Sequence, residues 1–346
     1  DFWTNNTKTM STITESDIEQ LVISLFREQG YEYIHAPDIA PEFPSSGGVS
    51  EGRGDDTRES YEQVLLLERL KNAIKRLNKS VPAYAQAEAI KDIQRIASPE
   101  LLANNEAFHK FLTEGIPVSK RVDDMERGDR IWLIDFENPY NNDFVVANQF
   151  TVVEKNQNLR LHTPYRQKRP DIILFVNGIP LVVIELKNAA DENATIRSAY
   201  RQIETYKTII PTLFTYNGIV VISDGLEAKA GSISAGFSRF MAWKSSDGKS
   251  EASPLVSQLE TLILGMLNKK TLLDLIRHFI VFEKSKWEDP ETGIITITTV
   301  KILAAYHQYY AVNRAVESTL RASGFTIPSS VRGIYMNLRK VTACRE

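Results

Sequence analysis

Apolar residues recur at helical spacing near the start of the chain: Ile18, Leu21, Val22, Leu25 and Phe26 fall at i, i+3, i+4, i+7 and i+8. With Gly30 as a stop, this pattern predicts a helix over 14–29. Thr14 with Asp17, or Ser16 with Glu19, offers a capping box at its start. A short strand is expected over 31–36, a flexible loop over 41–57, and helices over about 60–78, 82–96 and 99–114. Lys71, Lys75, Arg76 and Lys79 give the first of these three a basic stripe. From Arg130 the period becomes that of strands, and 131–135 and 144–153 are rich in β-branched and aromatic residues. The run from Pro170 to Lys187 holds two apolar strands around Asn177-Gly178, which predicts a β-hairpin. Its near-continuous hydrophobicity places it centrally in a sheet covered on both faces. An amphipathic helix over 194–209 and a buried strand over 218–224 follow, so the fold class is α/β. Residues 228–252 are polar and read as a loop, 254–268 and 271–281 as helices, 284–293 as a polar hinge, and 299–321 as a long helix.

Composition narrows this picture. The 41 Lys+Arg against 44 Asp+Glu leave a net charge of −3, so no global positive field draws in nucleic acid, and any DNA contact rests on local basic patches. The one cysteine, Cys344, excludes a disulfide framework and a cysteine-based zinc site and fits a reducing cytoplasm. No apolar run approaches the length of a membrane span, and the start of the chain is polar, so a soluble cytoplasmic protein with no membrane partner is expected. Residues 1–13 are expected to be a disordered lead.

The chemistry concentrates in the hairpin. Phosphodiester hydrolysis calls for a divalent metal on carboxylate oxygens with positive charge beside the attacked phosphate. Asp171, Glu185 and Lys187 are the right types, and Glu185 and Lys187, two apart on a strand, share a face. A strict two-residue turn at Asn177-Gly178 would set Asp171 opposite Ile184, facing away from Glu185. An odd-length loop or a bulge near 177–180 is therefore expected, and Pro180, which cannot donate to the ladder, makes room for one. An acid, any residue and a lysine also occur at Glu227–Lys229 and Asp247–Lys249, but only the first copy ends a buried strand. The alternative is a hairpin whose open end carries solvated charges. Gln202 and Tyr206, one helical turn apart, can face the same place. Glu19 is either an extra acid near the metal or a capping residue. Arg160, Arg166, Lys168 and Arg169 are candidates for holding the DNA backbone, or else a solvated face. The five histidines are scattered without zinc-site spacing.

The stretch from Arg169-Pro-Asp171 to Glu185-Leu-Lys187, followed by Gln202-Ile-Glu-Thr-Tyr206, resembles the nuclease domain at the N-terminus of the restriction (R) subunit of type I restriction–modification enzymes. Segments at 61–70, 138–143, 148–151 and 306–310 resemble that family as well, so the likeness covers roughly 12–322. The resemblance implies a PD-(D/E)xK nuclease core, with a mixed β-sheet flanked by helices, using Mg²⁺. Asp171 and Glu185 would be metal ligands, Lys187 the catalytic lysine, Gln202 and Tyr206 an accessory pair, and Glu19 a further acidic position. Arg166, Lys168 and Arg169 would meet double-stranded DNA. The family also implies methyltransferase and specificity subunits as partners, and ATP-driven translocation before cleavage. Gln308 would lie near the adenine of ATP, a cofactor of the full-length subunit only. The implied organisation is a nuclease domain over 14–227 with a helical insertion at about 60–115, a loop and helical linker over 228–298, and the start of a motor domain over 299–346. No Gly-Lys-Ser/Thr follows Val331-Arg-Gly-Ile-Tyr-Met336, so the chain is expected to be truncated before the motor's phosphate-binding loop and not to bind ATP through it. Two other readings stay open: a catalytically silent assembly scaffold, and a nuclease of the same class from another DNA repair or defence system.

Overall fold

The computed structural model describes residues 14–41, 56–122, 125–155, 165–188 and 195–323. The expected lead, most of the 41–57 loop, Arg160, Cys344 and the tail from Gly324 lie outside the described residues.

Helix α1 (Glu15–Glu28) opens on the Thr14–Asp17 capping box, the first of the two candidates, and Gly30 ends it at φ +79°. Its buried stripe is Ile18, Val22, Ile23, Leu25 and Phe26, whereas Leu21, expected on that stripe, is exposed on its flank. Strand β1 (Glu32–His35) follows. Helix α2 (Leu67–Leu77) begins seven residues later than the periodicity of 60–78 predicts. The reason is local: Val64, Leu65 and Leu66 are buried in non-helical chain, and the Leu66 N–H donates to Gly178 O at 2.9 Å. Helices α3 (Ala83–Gln94) and α4 (Leu101–Glu114) match their predicted places. A ribbon of β2 (Ile116–Val122) and β3 (Met125–Ile131) comes next. The predicted strand over 131–135 stops at Ile131, because the Asn78 side chain takes both Trp132 N–H and Trp132 O and stands in for a partner strand.

The predicted strand over 144–153 is two strands, β4 (Phe144–Asn148) and β5 (Val152–Lys155). They are separated at Gln149, whose φ of +56° breaks the extended run while its N–H donates to Asp171 O. Strand β5 pairs with β6 (Tyr165–Lys168), away from the main sheet. Strands β7 (Ile172–Val176) and β8 (Ile179–Leu186) form the expected hairpin, buried at every position. Helices α5 (Ile196–Ile209) and α6 (Pro211–Thr215) lead to β9 (Ile219–Ser223) and β10 (Ala228–Gly231). The sheet runs β1-β4-β7-β8-β9-β10, with β1/β4 and β8/β9 parallel and the other pairs antiparallel. The β8–α5–β9 crossover joins parallel neighbours, which a hairpin turn cannot do. Helix α1 packs on β1, β4 and β8, and α5 on β8 and β9, so the fold is α/β with a mixed sheet flanked by helices.

Helices α7 (Gln258–Gly265) and α8 (Lys269–His278) sit where expected, shorter than predicted. The polar hinge does not exist. Residues there form β11 (Ile280–Glu288), which pairs along nine residues with β12 (Ile295–Leu303), turning through Asp289–Gly293. Helix α9 (Tyr306–Ala322) therefore starts later than the predicted 299. An unbroken run of β-branched residues from Ile294 to Val300 explains the strand, and exposure of both faces hid it. At its root the fully buried Lys301 donates to Asn105 Oδ1 (2.9 Å) and Asn217 O (2.7 Å), and burial pushes its pKa down to about 7.

The hairpin turn itself is buried. Asn177 and Gly178 both have positive φ, at +51° and +79°, the two-residue turn that suits twisted strands. Asn177 bonds Leu133 O, Asn142, Asp143 N and Arg76, while α2 closes over Gly178. A Cβ at Gly178 would lie 2.3 Å from Leu66 O and 2.9 Å from Leu70 N, both backbone atoms. Gly178→Ala is therefore expected to cost about 3 kcal/mol or more in chemical denaturation. A change within 0.5 kcal/mol, the usual range at an unconstrained surface site, would contradict this packing.

Candidate active site

The hairpin decides whether two carboxylates meet. Next to the turn, Phe175 pairs with Pro180 and Val176 with Ile179, a register that would set Asp171 across from Ile184. The register then shifts: Leu174 pairs with Val182, leaving Leu181 as an extra residue, and Ile172 pairs with Ile184. The turn has two residues, and the bulge expected near 177–180 falls at Leu181, one residue beyond Pro180. Continuing the shifted register puts Asp171 opposite Glu185. The Leu186 N–H donates to Asp171 Oδ2 at 2.7 Å, closing the hairpin's open end around the two acids.

Glu185 is 1% exposed, in a strand paired on both sides. Its Oε1 accepts from Lys187 Nζ at 2.9 Å, whereas Oε2 is buried with no hydrogen-bond partner among the described residues. Burial, then the charge of Asp171, pushes the Glu185 pKa up to about 8, against the pull of Lys187. Burial also pushes Asp171 up to about 6, opposed by the Leu186 N–H and Lys187 and aided by Glu15 and Glu19. Burial works against the Lys187 ammonium, but Glu185 and Glu15 outweigh it, and its pKa is raised.

Helix α5 brings the accessory pair in. Its Thr195–Ser198 capping box sets the first turn, and Ile196, Ala199, Ile203 and Tyr206 form its buried face. The Tyr206 hydroxyl meets the Gln202 side chain, lies beside Glu185 and donates to Arg169 O at 3.4 Å. Burial and the Glu185 charge raise its pKa. Glu19 reaches the site from α1: its Oε1 accepts from Asn148 Nδ2, and Asn148 Oδ1 accepts from the Tyr33 hydroxyl at 3.1 Å. Asp171, Glu185, Lys187, Gln202, Tyr206 and Glu19 are thus gathered around one hairpin end.

Other candidates stand apart. Along β6, Arg166 and Lys168 are half-buried on one face while Arg169, just after the strand, is exposed, so the three do not form a single stripe. Gln308 caps α9, its Oε1 accepting from Ala305 N at 2.9 Å. Of the α2 basic residues, Lys71 pairs with Glu68, and Arg76 is spent on Asn141 O and Asn177 Oδ1. Sequence reading missed Glu15, whose Oε1 lies 2.9 Å from Lys187 Nζ. The available signal was its spacing of four from Glu19, which puts both on one face of α1.

Residues 12–239 match the family described as the type I restriction enzyme R protein N terminus. The chain belongs to that family. It is 37% identical over 313 residues to the type I restriction enzyme HindI endonuclease subunit of Haemophilus influenzae, covering 90% of this chain and 27% of that protein. It is 29% identical over 322 residues to the putative type I restriction enzyme MjaIXP endonuclease subunit of Methanocaldococcus jannaschii, covering 88% of this chain and 28% of that protein. A 25% identity over 287 residues links it to the type I restriction enzyme EcoprrI endonuclease subunit of Escherichia coli, covering 80% and 77%. The chain therefore spans little more than a quarter of the length of the first two relatives. In this R-protein N-terminal domain, no helix among the described residues is long and apolar enough to cross a membrane.

The raised carboxyl pKa values have a consequence for the domain in EDTA. Both acids bind protons more tightly folded than unfolded, so the stability they contribute is complete below about pH 4 and is lost as pH rises through about 6 and about 8. Lys187, with its pKa raised from 10.5, keeps its contribution throughout that window. Melting temperature is expected to fall between pH 5 and 8.5 after subtraction of an Asp171→Asn/Glu185→Gln control. Parallel curves for the two proteins would refute the assignment.

Proposed function

We propose that this chain is the nuclease domain of a type I restriction enzyme R subunit and hydrolyses phosphodiester bonds of double-stranded DNA with Mg²⁺ held by Asp171 and Glu185. The observation that carries this reading is the orphaned Oε2 of Glu185, buried beside Asp171 at the end of a bulged hairpin. Two buried like charges raise each other's pKa, and a divalent cation removes that penalty. The donor set suits Mg²⁺, which binds through one or two carboxylates and takes its remaining ligands from water and phosphate. Among the described residues no cluster of three or more His, Cys, Asp or Glu is placed to hold a metal, which fits a shared site better than a closed protein cage. Bound there, the ion would supply Lewis-acid activation of water and charge neutralisation at the phosphate.

Lys187 keeps its proton, so it serves as a charge and hydrogen-bond donor to the attacked phosphate rather than as a base. The Tyr206 hydroxyl, which meets Gln202, holds the chain at Arg169 and lies beside the Glu185 carboxylate. Arg166, Lys168 and Arg169 lie just before Asp171 in the chain and provide local positive charge for the DNA backbone on a molecule of net charge −3. Site choice, ATP-driven translocation and the nucleotide site that would include Gln308 belong to the remainder of the subunit and to methyltransferase and specificity partners.

Supercoiled plasmid is expected to be nicked by the chain in Mg²⁺ and not in EDTA, with loss of at least 100-fold in Asp171→Ala and Lys187→Ala, about the scale of removing one transition-state donor. In parallel, Mg²⁺ or Mn²⁺ should raise the melting temperature of the wild-type chain and leave Asp171→Ala unmoved. Absence of both nicking and metal-dependent stabilisation would overturn the nuclease reading in favour of an assembly scaffold.

A further inference from the structure

Lys187 sits between two carboxylates that come from different elements, Glu185 on strand β8 and Glu15 on α1. Its ammonium has three donors, and all three are used: Glu185 Oε1 at 2.9 Å, Glu15 Oε1 at 2.9 Å and Leu186 O at 2.8 Å. Glu15 is the first residue of α1, and the Thr14–Asp17 capping box that brackets it fixes the geometry of that turn. One turn later Glu19 is held by Asn148, so α1 is aligned against the hairpin end at two successive positions of the same face. The Glu15 side chain is 48% exposed, that of Lys187 24% and that of Glu185 2%. Glu15 therefore stays hydrated at the rim while it pairs with an ammonium that is mostly out of water.

We infer that Glu15 is a positioning residue for Lys187, holding its ammonium away from full engagement with Glu185 so that a divalent cation can take that carboxylate; this rests on the nuclease reading above. Lys187 occupies Oε1, so a cation meets Glu185 at Oε2, the oxygen without a partner, and an ammonium drawn across both oxygens would close that place. With Glu15 in place, the ammonium keeps an anionic partner when Glu185 turns to the ion. Without Glu15, Glu185 is the one carboxylate bonded to the ammonium, and a partly buried charge does not give up such a partner cheaply. Lys187 would then collapse onto Glu185 and shut the ion out. Glu15 thus acts on the metal through the lysine, without touching it.

The test is a double-mutant cycle read by calorimetric titration of Mn²⁺ into the chain, with melting curves to check that each variant folds. Glu15→Gln is expected to raise the Mn²⁺ dissociation constant about threefold to tenfold, within the range of couplings between contacting residues. Glu15→Asp, which keeps the charge on a shorter arm, should recover part of the loss and also reports if the Gln variant does not fold. In a Lys187→Met background the same Glu15→Gln change is expected to alter affinity by less than about twofold. An equal loss in both backgrounds would mean that Glu15 acts as a direct ligand or a through-space charge, and that overturns the inference. Unchanged affinity in Glu15→Gln overturns it too. Mn²⁺ binding that Asp171→Ala abolishes sustains the nuclease reading in either of those cases, whereas no binding by the wild-type chain overturns this inference, and the nuclease reading with it where plasmid nicking is absent too.

Discussion

Two carboxyl groups buried side by side are the constraint around which this domain is built. Water would solvate Asp171 and Glu185 separately; the sheet instead sets them across a strand pair, where burial raises both pKa values and the charge of Asp171 raises that of Glu185 further. Such an arrangement persists only where the surrounding structure leaves no alternative. Glu185 lies on β8, hydrogen-bonded on both sides, so its backbone has nowhere to move. A peptide N–H and one ammonium offset part of the repulsion and leave one oxygen without a partner. The unrelieved remainder is what the proposed divalent cation would neutralise.

Rigidity at that end of the hairpin is secured at the other. The turn at Asn177-Gly178 is enclosed by α2 and by the loop carrying Asn142 and Asp143. Above it, Arg69 on α2 binds Glu32, Asp56 and Asp143 at once, joining β1, the chain ahead of α2 and the entry to β4. Burial works against the guanidinium, but three carboxylates hold it charged. The helical insertion thus serves as a clamp on the far end of the β7–β8 hairpin.

Much of this was legible in the residues, for reasons that differ by element. The runs at 172–176, 179–186 and 219–223 are apolar throughout because both of their faces are covered, and that reads directly. The bulge followed from parity: two acids that must share a face cannot do so across an even, unbroken register. Where the reading failed, a side chain had replaced a backbone partner or both faces were wet. Asn78 ends β3 by occupying the Trp132 amide and carbonyl, which no periodicity reveals. The β11–β12 ribbon carries Trp287, Ile295 and Ile297 in the open, so its pattern lacked the buried face of a core strand and its polar part read as a hinge. The pairing of Glu15 with Lys187 was hidden for another reason, because the two lie 172 residues apart and only the packed fold brings them together.

The bulge at Leu181 also makes chain length at this place a quantised quantity. Between Asp171 and Glu185, gaining or losing one residue rotates every later side chain of β8 to the opposite face, whereas a change of two leaves the face intact and only displaces the acids along the strand. Both ends of the interval are pinned, one by α2 over the turn and the other by β9 alongside Glu185. Slippage cannot absorb the difference. The hairpin is therefore a fixed ruler within the domain, and the stretches that join it to its neighbours are where a lineage can lengthen or shorten the chain and still keep its acids face to face.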